Sequence, residues 1–234
     1  MQKITLTPQV NKEKLMETFY NEIENSTYIL VLDGKYKYSV TKKIVQVPNL
    51  YFAQYPVTNK QYRRFIDSLP EEEKNEYCSN YADIKRFNGD YQPVVGVTWY
   101  AAKAYCKWLT KQGGKTFRLP TEIEWEWAAG GGNREYPWGN EKLDGTRAHY
   151  GGKVGQTTPV GAYPAGVTPE GLMDMAGNVW EWMENWADKD KKRRALRGGS
   201  WLDDVDYLRC AARRFIPPVN WGNDVGFRVV VAQS

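Results

Sequence analysis

One histidine and three cysteines in 234 residues are a thin endowment for catalysis. General acid or base work would fall to His149 or to a carboxylate with a raised pKa, and no second histidine stands behind either. Cys78, Cys106 and Cys210 cannot all pair, and none has a neighbour at metal-ligand spacing, so they read as small buried hydrophobes or free thiols. No run of about 18 apolar residues is present, which excludes a membrane-spanning helix from the sequence given. The opening MQKITLTPQV lacks the basic-then-apolar layout of a signal peptide, so a cell-surface or secreted location is expected only if a leader has been removed. Excess charge of one sign is missing too. The 32 basic and 28 acidic residues are scattered, the net charge is +4, and nucleic acid is excluded as a partner. The one concentrated run, Lys189 to Arg194, reads as a solvated loop between two strands.

What is present is apolar and aromatic: 41% hydrophobic and 14% aromatic residues suffice for one large domain with a substantial core. Leu15, Phe19 and Ile23 are spaced four apart and predict a short helix over 11–25. From Tyr28 to Val47, YILVL, KYKYSV and KIVQV predict two or three strands in meander order. Residues 1–48 are expected to pack as a helix and strands on a main body formed by 49–234. VTNKQYRRFIDSL predicts a helix with Thr58 or Asn59 as N-cap and Tyr62, Phe65 and Ile66 on one face. Pro70 to Pro93 shows no sustained period and reads as a long surface excursion. VTWYAAKAYCKWLTKQGGK predicts a longer helix between Thr98 and a Gly113 C-cap, with Trp99, Ala102, Cys106 and Leu109 as its apolar stripe. Thr121 before Glu124 has capping-box spacing and starts another helix. Beyond Gly130 the helical period stops and Gly, Pro and Trp take over, so the class is α+β with irregular β structure in the second half.

GNVWEWMENW concentrates Trp180, Trp182 and Trp186, with Val179, Trp180 and Met183 available to face inward. Indoles bury much area per residue, so this segment reads as structural before it reads as an aromatic cage for a cation. ALRGGSW is a strand interrupted by Gly198 and Gly199, and YLRCAAR and VGFRVVV are further strand candidates. Arg209, Arg213 and Arg228 recur at their polar positions and read as pins for irregular loops rather than as an anion site.

Nine phrases occur in order between residues 50 and 232: PVTNKQYRRFI, PVVGVTWYAAKAYCKWL, FRLPTEIEWEWAA, YPWGN, TTPVGAYP, GLMDMAGNVWEW, LRGGSW, LRCAAR and VGFRVV. Together they resemble the formylglycine-generating-enzyme (sulfatase-modifying factor) family. The resemblance implies a C-type-lectin-like fold with sparse regular structure. It does not carry that enzyme's chemistry, which needs a copper-holding cysteine pair shortly after the GGS-aromatic motif. Trp201, Leu202, Asp203, Asp204, Val205, Asp206 and Tyr207 stand there, without sulfur, and aspartates cannot build a soft thiolate site. Cys106 and Cys210 fall where the family has half-cystines, but the partner positions hold Val229 and Ala128 or Ala129, so neither bridge can form. One family calcium position is occupied by His149, a poor ligand for a hard cation. A second, near Asn178, retains its GNVWEW phrase, and calcium there is the only cofactor the resemblance leaves open.

The most informative absence is at the C-terminus. The chain has 19 Lys, 16 Glu, 9 Gln and 5 Met, yet none of them between Leu202 and Ala232. Strands are depleted in Lys and Glu, but a gap of this length has a chance on the order of one in a thousand under even mixing. Randomising the first two bases of an AAC or AAT codon encodes fifteen amino acids and never Lys, Glu, Gln, Met or Trp. Diversity-generating retroelements mutate such codons, and the C-terminus resembles their variable proteins, the treponeme variable proteins among them. The fixed posts of that pattern are GGSW, then LR, A and R, then P, then GFR, all present within a variable region of about 198–228. The resemblance makes Leu202, Asp203, Asp204, Asp206, Tyr207, Ala212, Arg214, Phe215, Ile216, Pro217, Asn220, Gly222, Asn223 and Asp224 the candidate ligand-contacting positions. Their mix of Tyr, Phe, Ile and Arg among Asp and Asn suits a binding surface. Trp201, Arg209, Arg213, Trp221, Phe227 and Arg228 are expected as invariant scaffold. The expectation is a monomeric, non-catalytic binding protein with a macromolecular ligand, a protein by preference. An oxidoreductase of the formylglycine class, or its inactive remnant, is the competing expectation.

Overall fold

The computed structural model describes residues 17–232. Its first element is a hairpin of β1 (Thr18–Asn21) and β2 (Ser26–Val31), so the helix expected over 11–25 does not form where that range is described; Leu15 lies outside it. Phe19 and Ile23 have helical spacing, but Phe19 stacks on Tyr28 across the strand pair at 4.8 Å, and Asn25 adopts a φ of 54° to close the turn. Cross-strand aromatic pairing overrides the weak local period. The next strands are β3 (Gly34–Lys37), β4 (Ile44–Val47) and β5 (Leu50–Ala53). β3 and β4 form a separate two-stranded sheet, and β5 returns to pair with β2.

Three of the four helices follow the capping logic of the sequence. α1 (Asn59–Asp67) starts at Thr58, whose hydroxyl accepts from Gln61 N while the Gln61 side chain accepts from Thr58 N. The stretch from Pro70 to Pro93 contains a helix that no period announces, α2 (Glu71–Tyr77). It buries no residue, and three glutamates in its first turn favour the positive end of the helix dipole. α3 (Trp99–Gly113) is capped by Thr98 and ends at Gly114 with a φ of 66°, one residue beyond the expected stop. α4 (Glu122–Ala129) has the Thr121–Glu124 capping box.

The remaining strands are β6 (Phe117–Arg118), β7 (Trp180–Trp186), β8 (Arg194–Arg197), β9 (Arg213–Ile216), β10 (Val225–Gly226) and β11 (Val230–Ala232). They complete a five-stranded sheet, β1-β2-β5-β11-β6, and a four-stranded sheet, β10-β7-β8-β9, in which β10 runs parallel to β7. YLRCAAR is not a strand. Burial of Leu208 and Cys210 holds a 3-10 turn (Val205–Leu208) and a bend against the body, and β9 begins only at Arg213. The end of the chain divides two cores: Val229 and Val231 pack with Tyr105, Trp180 and Phe227, whereas Val230 faces Phe52, Trp125 and Met183. This is the two-residue alternation of an extended chain with a core on either side. No described helix is long and apolar enough to cross a membrane.

Candidate functional site

The candidate stretch leaves the second sheet at the Gly198–Gly199 pair. Gly199 has a φ of 70°, and a Cβ on it would lie 2.6 Å from the Tyr207 carbonyl oxygen, so only glycine lets the turn at 205–208 close over the strand end. Trp201 is buried and donates from Nε1 to the Asn223 carbonyl at 3.1 Å, while its own carbonyl accepts from Gly152 N. Gly151 N donates to the Asp203 carbonyl at 3.0 Å. Three loops, near residues 151, 202 and 223, are thereby tied around one indole.

Beneath them lie buried ion pairs. Arg228 and Glu181 are both wholly buried, and the guanidinium contacts the carboxylate at 2.7 to 2.9 Å. Its remaining donors reach the carbonyls of Ala53, Gln54, Met173 and Asp174, and Glu181 also accepts from Trp125 Nε1 at 2.7 Å. Arg197 bridges Glu122 and Glu126, each at 3.0 Å, and donates to the Cys210 and Ala212 carbonyls. Arg213 is bidentate on Glu122 at 2.9 and 2.7 Å. Buried charges hold only when paired and hydrogen-bonded, and these sets are, so they fix the backbone of a region with little regular structure. Phe227 is wholly buried beside them. Arg209 differs from the other arginines: it is exposed and meets Asp206 and Glu135 at the surface.

Eight of the fourteen candidate positions are exposed: Leu202, Asp204, Asp206, Tyr207, Arg214, Phe215, Pro217 and Asn220. Asp203, Ala212, Ile216, Gly222 and Asn223 are half-buried. The Asp203 carboxylate accepts from Ser200 N and Oγ, and Ile216 packs against the core, so both serve the structure. Asp224 departs from the expectation of exposure. It is only 7% exposed, receives Arg214 Nη1 at 2.8 Å, and is pushed up in pKa by burial. Nor do all the exposed positions share one face. Tyr207 lies over Trp180 and Arg214 stands on the Trp182–Leu196 side of the sheet, but Phe215 points to the other side of β9, where Arg193 and Arg213 pack on its ring.

Trp221, expected as scaffold, is not in the core: it is 46% exposed and meets the Tyr81 ring at 5.8 Å. Exclusion from a codon set says nothing about burial. Exposed Ile84, Val154, Val205 and Val219 also lie outside the candidate set. Tyr81 and Ile84 share one short loop, and Val154 is on the loop tied to Trp201. No motif in the sequence marks Tyr81 and Ile84, because distant packing, of Phe87 against Trp201 at 6.0 Å and of Tyr81 against Trp221, brings their loop here.

The donor set does not fit a copper centre. Asp203 is taken by Ser200, and Cys106 and Cys210 are buried elsewhere, each with its thiol pushed up in pKa by burial, Cys210 to about 12. Thiolate, not thiol, is the copper ligand. Cys210 Sγ approaches the Ala129 carbonyl at 3.3 Å and Cys106 packs with Val229, the two neighbours that stand where bridge partners would. His149 Nε2 lies 2.7 Å from the Gln156 carbonyl, the ring stacks on Tyr163, and burial lowers its pKa, so it is a neutral donor locked in packing. Asn178 spends its carboxamide on the Thr158 backbone, accepting from N and donating to O at 3.1 Å each. Among the described residues no three His, Cys, Asp or Glu side chains converge as a metal site. Trp180 and Trp182 are wholly buried, and the half-buried Trp186 is covered by the Arg194 guanidinium at 3.5 Å, so these indoles form no open cage.

Two larger sheets with a two-stranded ribbon, a helical flank and long pinned loops that carry an irregular exposed face define a C-type-lectin-like domain. The chain belongs to the sulfatase-modifying factor enzyme 1-like family, whose domain matches residues 12–233. A solved structure of Treponema denticola variable protein 1 superposes with a TM-score of 0.75 at 22% identity, covering 94% of this chain and 99% of that one, which establishes the shared fold. The serine/threonine-protein kinase Pkn1 of Chlamydia trachomatis serovar L2 is 35% identical over 215 residues, 79% of this chain and 33% of that protein. The inactive C-alpha-formylglycine-generating enzyme 2 of Bos taurus is 38% identical over 154 residues, 58% of this chain and 49% of that protein. The chain thus spans about a third of the length of the kinase relatives and about half that of the bovine protein.

Proposed function

We propose that this domain is a ligand-binding protein whose C-terminal face is exchangeable and whose partner is a protein or another macromolecule. The observation that carries the reading is the separation of roles along β9 and its flanks. Phe227 and Arg228 are locked in the interior and the half-buried Arg213 is pinned to buried Glu122, while Leu202, Asp204, Asp206, Tyr207, Arg214, Pro217 and Asn220 project outward. A surface whose side chains do not hold up the fold can change its sequence and keep its shape, and a preformed backbone lowers the ordering cost of binding. The shared fold of the treponeme variable protein and the missing Lys, Glu, Gln and Met support the same reading. It needs no cofactor, works as a monomer, and suits display at a cell surface or secretion.

The test is a library that randomises those seven projecting positions together, with selection against a purified protein such as lysozyme. Most members should keep a cooperative melt near that of the parent, and selection should return binders. A library that is largely unfolded, or folded without yielding any binder, contradicts the proposal. The competing reading, an oxidoreductase of the formylglycine class or its remnant, has family membership in its favour and the donor set against it.

A further inference from the structure

Trp180 is wholly buried, and its indole N–H has no acceptor among the described residues. The other buried indoles are paired: Trp99 with the Met183 carbonyl, Trp125 with Glu181, Trp138 with the Glu141 carbonyl, Trp182 with the Val97 carbonyl and Trp201 with the Asn223 carbonyl. A buried donor left unmade costs about 1–3 kcal/mol, and native structures hold few of them. The position of this one is specific. Trp180 and Trp182 alternate onto the same side of β7, and Leu196 carries that side across to Arg214 on β9. Trp180 N donates to the Asp224 carbonyl, and the Tyr207 ring stands edge-on to the indole at 6.0 Å and 74°. The indole that carries the unpaired donor therefore lies under the Tyr207 ring, and its backbone is tied to Asp224, within the candidate face.

We propose that Trp180 Nε1–H is a fixed anchoring donor of this face, taking a neutral carbonyl oxygen that a protein partner inserts on a protruding loop. The acceptor is a main-chain carbonyl or an Asn or Gln side chain. This deepens the reading of the face as a protein-binding surface and rests on it. Tyr207 is the movable cover: it is 48% exposed, and its hydroxyl makes no hydrogen bond among the described residues, so only ring packing holds it. Side-chain rotation of this kind at an interface is common. A neutral acceptor fits better than a carboxylate because Asp224, with Asp203 nearby, already provides negative charge and occupies Arg214. Since randomised AAC or AAT codons never encode Trp, and Trp180 lies outside the exchangeable run, every version of the surface would keep the same donor while the residues around it vary.

The indole N–H resonances of the 15N-labelled protein are recorded during titration with N-methylacetamide, the simplest amide carbonyl, and separately with acetate. The Trp180 resonance is identified by its loss in Trp180→Phe or, if that variant does not fold, by its displacement in Tyr207→Ala. Expected is a saturable downfield movement of that resonance with the amide, greater in Tyr207→Ala, while the other nine indoles stay in place. An unmoved Trp180 resonance, equal movement of all ten, or a response to acetate alone overturns the proposal. In the lysozyme-selected binders, Trp180→Phe should weaken affinity about five- to tenfold, the equivalent of one hydrogen bond. Binders that keep full affinity as folded Trp180→Phe variants refute the anchor and leave the binding surface standing; failure to select any binder refutes the surface itself.

Discussion

Arg213 and Arg214 are consecutive on β9 and face opposite ways, the first bidentate on buried Glu122 at 2.9 and 2.7 Å, the second reaching Asp224 at 2.8 Å over the exposed face. Arg213→Ala leaves Glu122 with Arg197 as its only arginine partner and should cost about 2 kcal/mol in urea denaturation, below the full cost of breaking a buried pair. Arg214→Ala, at a partly exposed pair, should cost about 1 kcal/mol or less. Equal losses would contradict the division between interior and surface along this strand.

The Arg228–Glu181 pair tests how the face is supported. Glu181→Gln weakens the pairing of a wholly buried guanidinium and alters the acceptor for Trp125 Nε1, so it should destabilise by about 3–5 kcal/mol, read from the urea midpoint. A loss below about 1 kcal/mol would show that the pair does not organise the loops above it.

Much of the fold was legible in the residues and part of the site was not, for reasons that separate local from distant interactions. Thr58, Thr98 and Thr121 announce their helices because a cap is decided within four residues. The hairpin at 18–31 is hidden because Phe19 and Ile23 satisfy a helical period, and only pairing with Tyr28 decides otherwise. The burial of Asp224 depends on Arg214 ten residues earlier and on Trp180 in another strand, which composition cannot show. Trp221 illustrates the reverse case: codon reasoning speaks to whether a residue can vary and is silent on whether it is exposed.

Asp174 provides a pH signature. Burial, with Glu181 adding to it, raises this carboxyl to about 6 from an ordinary 3.8 despite a hydrogen bond from Gly161 N and the nearby Arg228. The fold therefore favours the protonated form. Its contribution to stability is fully present below about pH 4, declines as pH rises towards 6, and is gone above that. Asp174→Asn keeps the acceptor for Gly161 and tolerates the φ of 54° at this position. It should raise stability at pH 7 by about 1–2 kcal/mol, a figure discounted for partial solvent access, and should flatten the profile between pH 4 and 6. A variant less stable at pH 7, with the slope retained, would contradict this assignment.

Incubation with copper and a cysteine-containing sulfatase peptide should yield no aldehyde, since no thiolate pair follows Trp201 and the buried thiols of Cys106 and Cys210 have raised pKa values. The check is mass spectrometry of the peptide after aldehyde-specific labelling. Copper-dependent conversion would restore the oxidoreductase reading.

The most direct measurement of whether this surface is diversified is the DNA sequence flanking the gene. A diversified surface predicts a near-copy of the codons for residues 198–228, with adenines at the projecting positions and intact codons for Arg213, Phe227 and Arg228, beside a gene for a reverse transcriptase. A locus with neither a template copy nor a reverse transcriptase, and a population of cells carrying one unchanging sequence over 202–224, would contradict it.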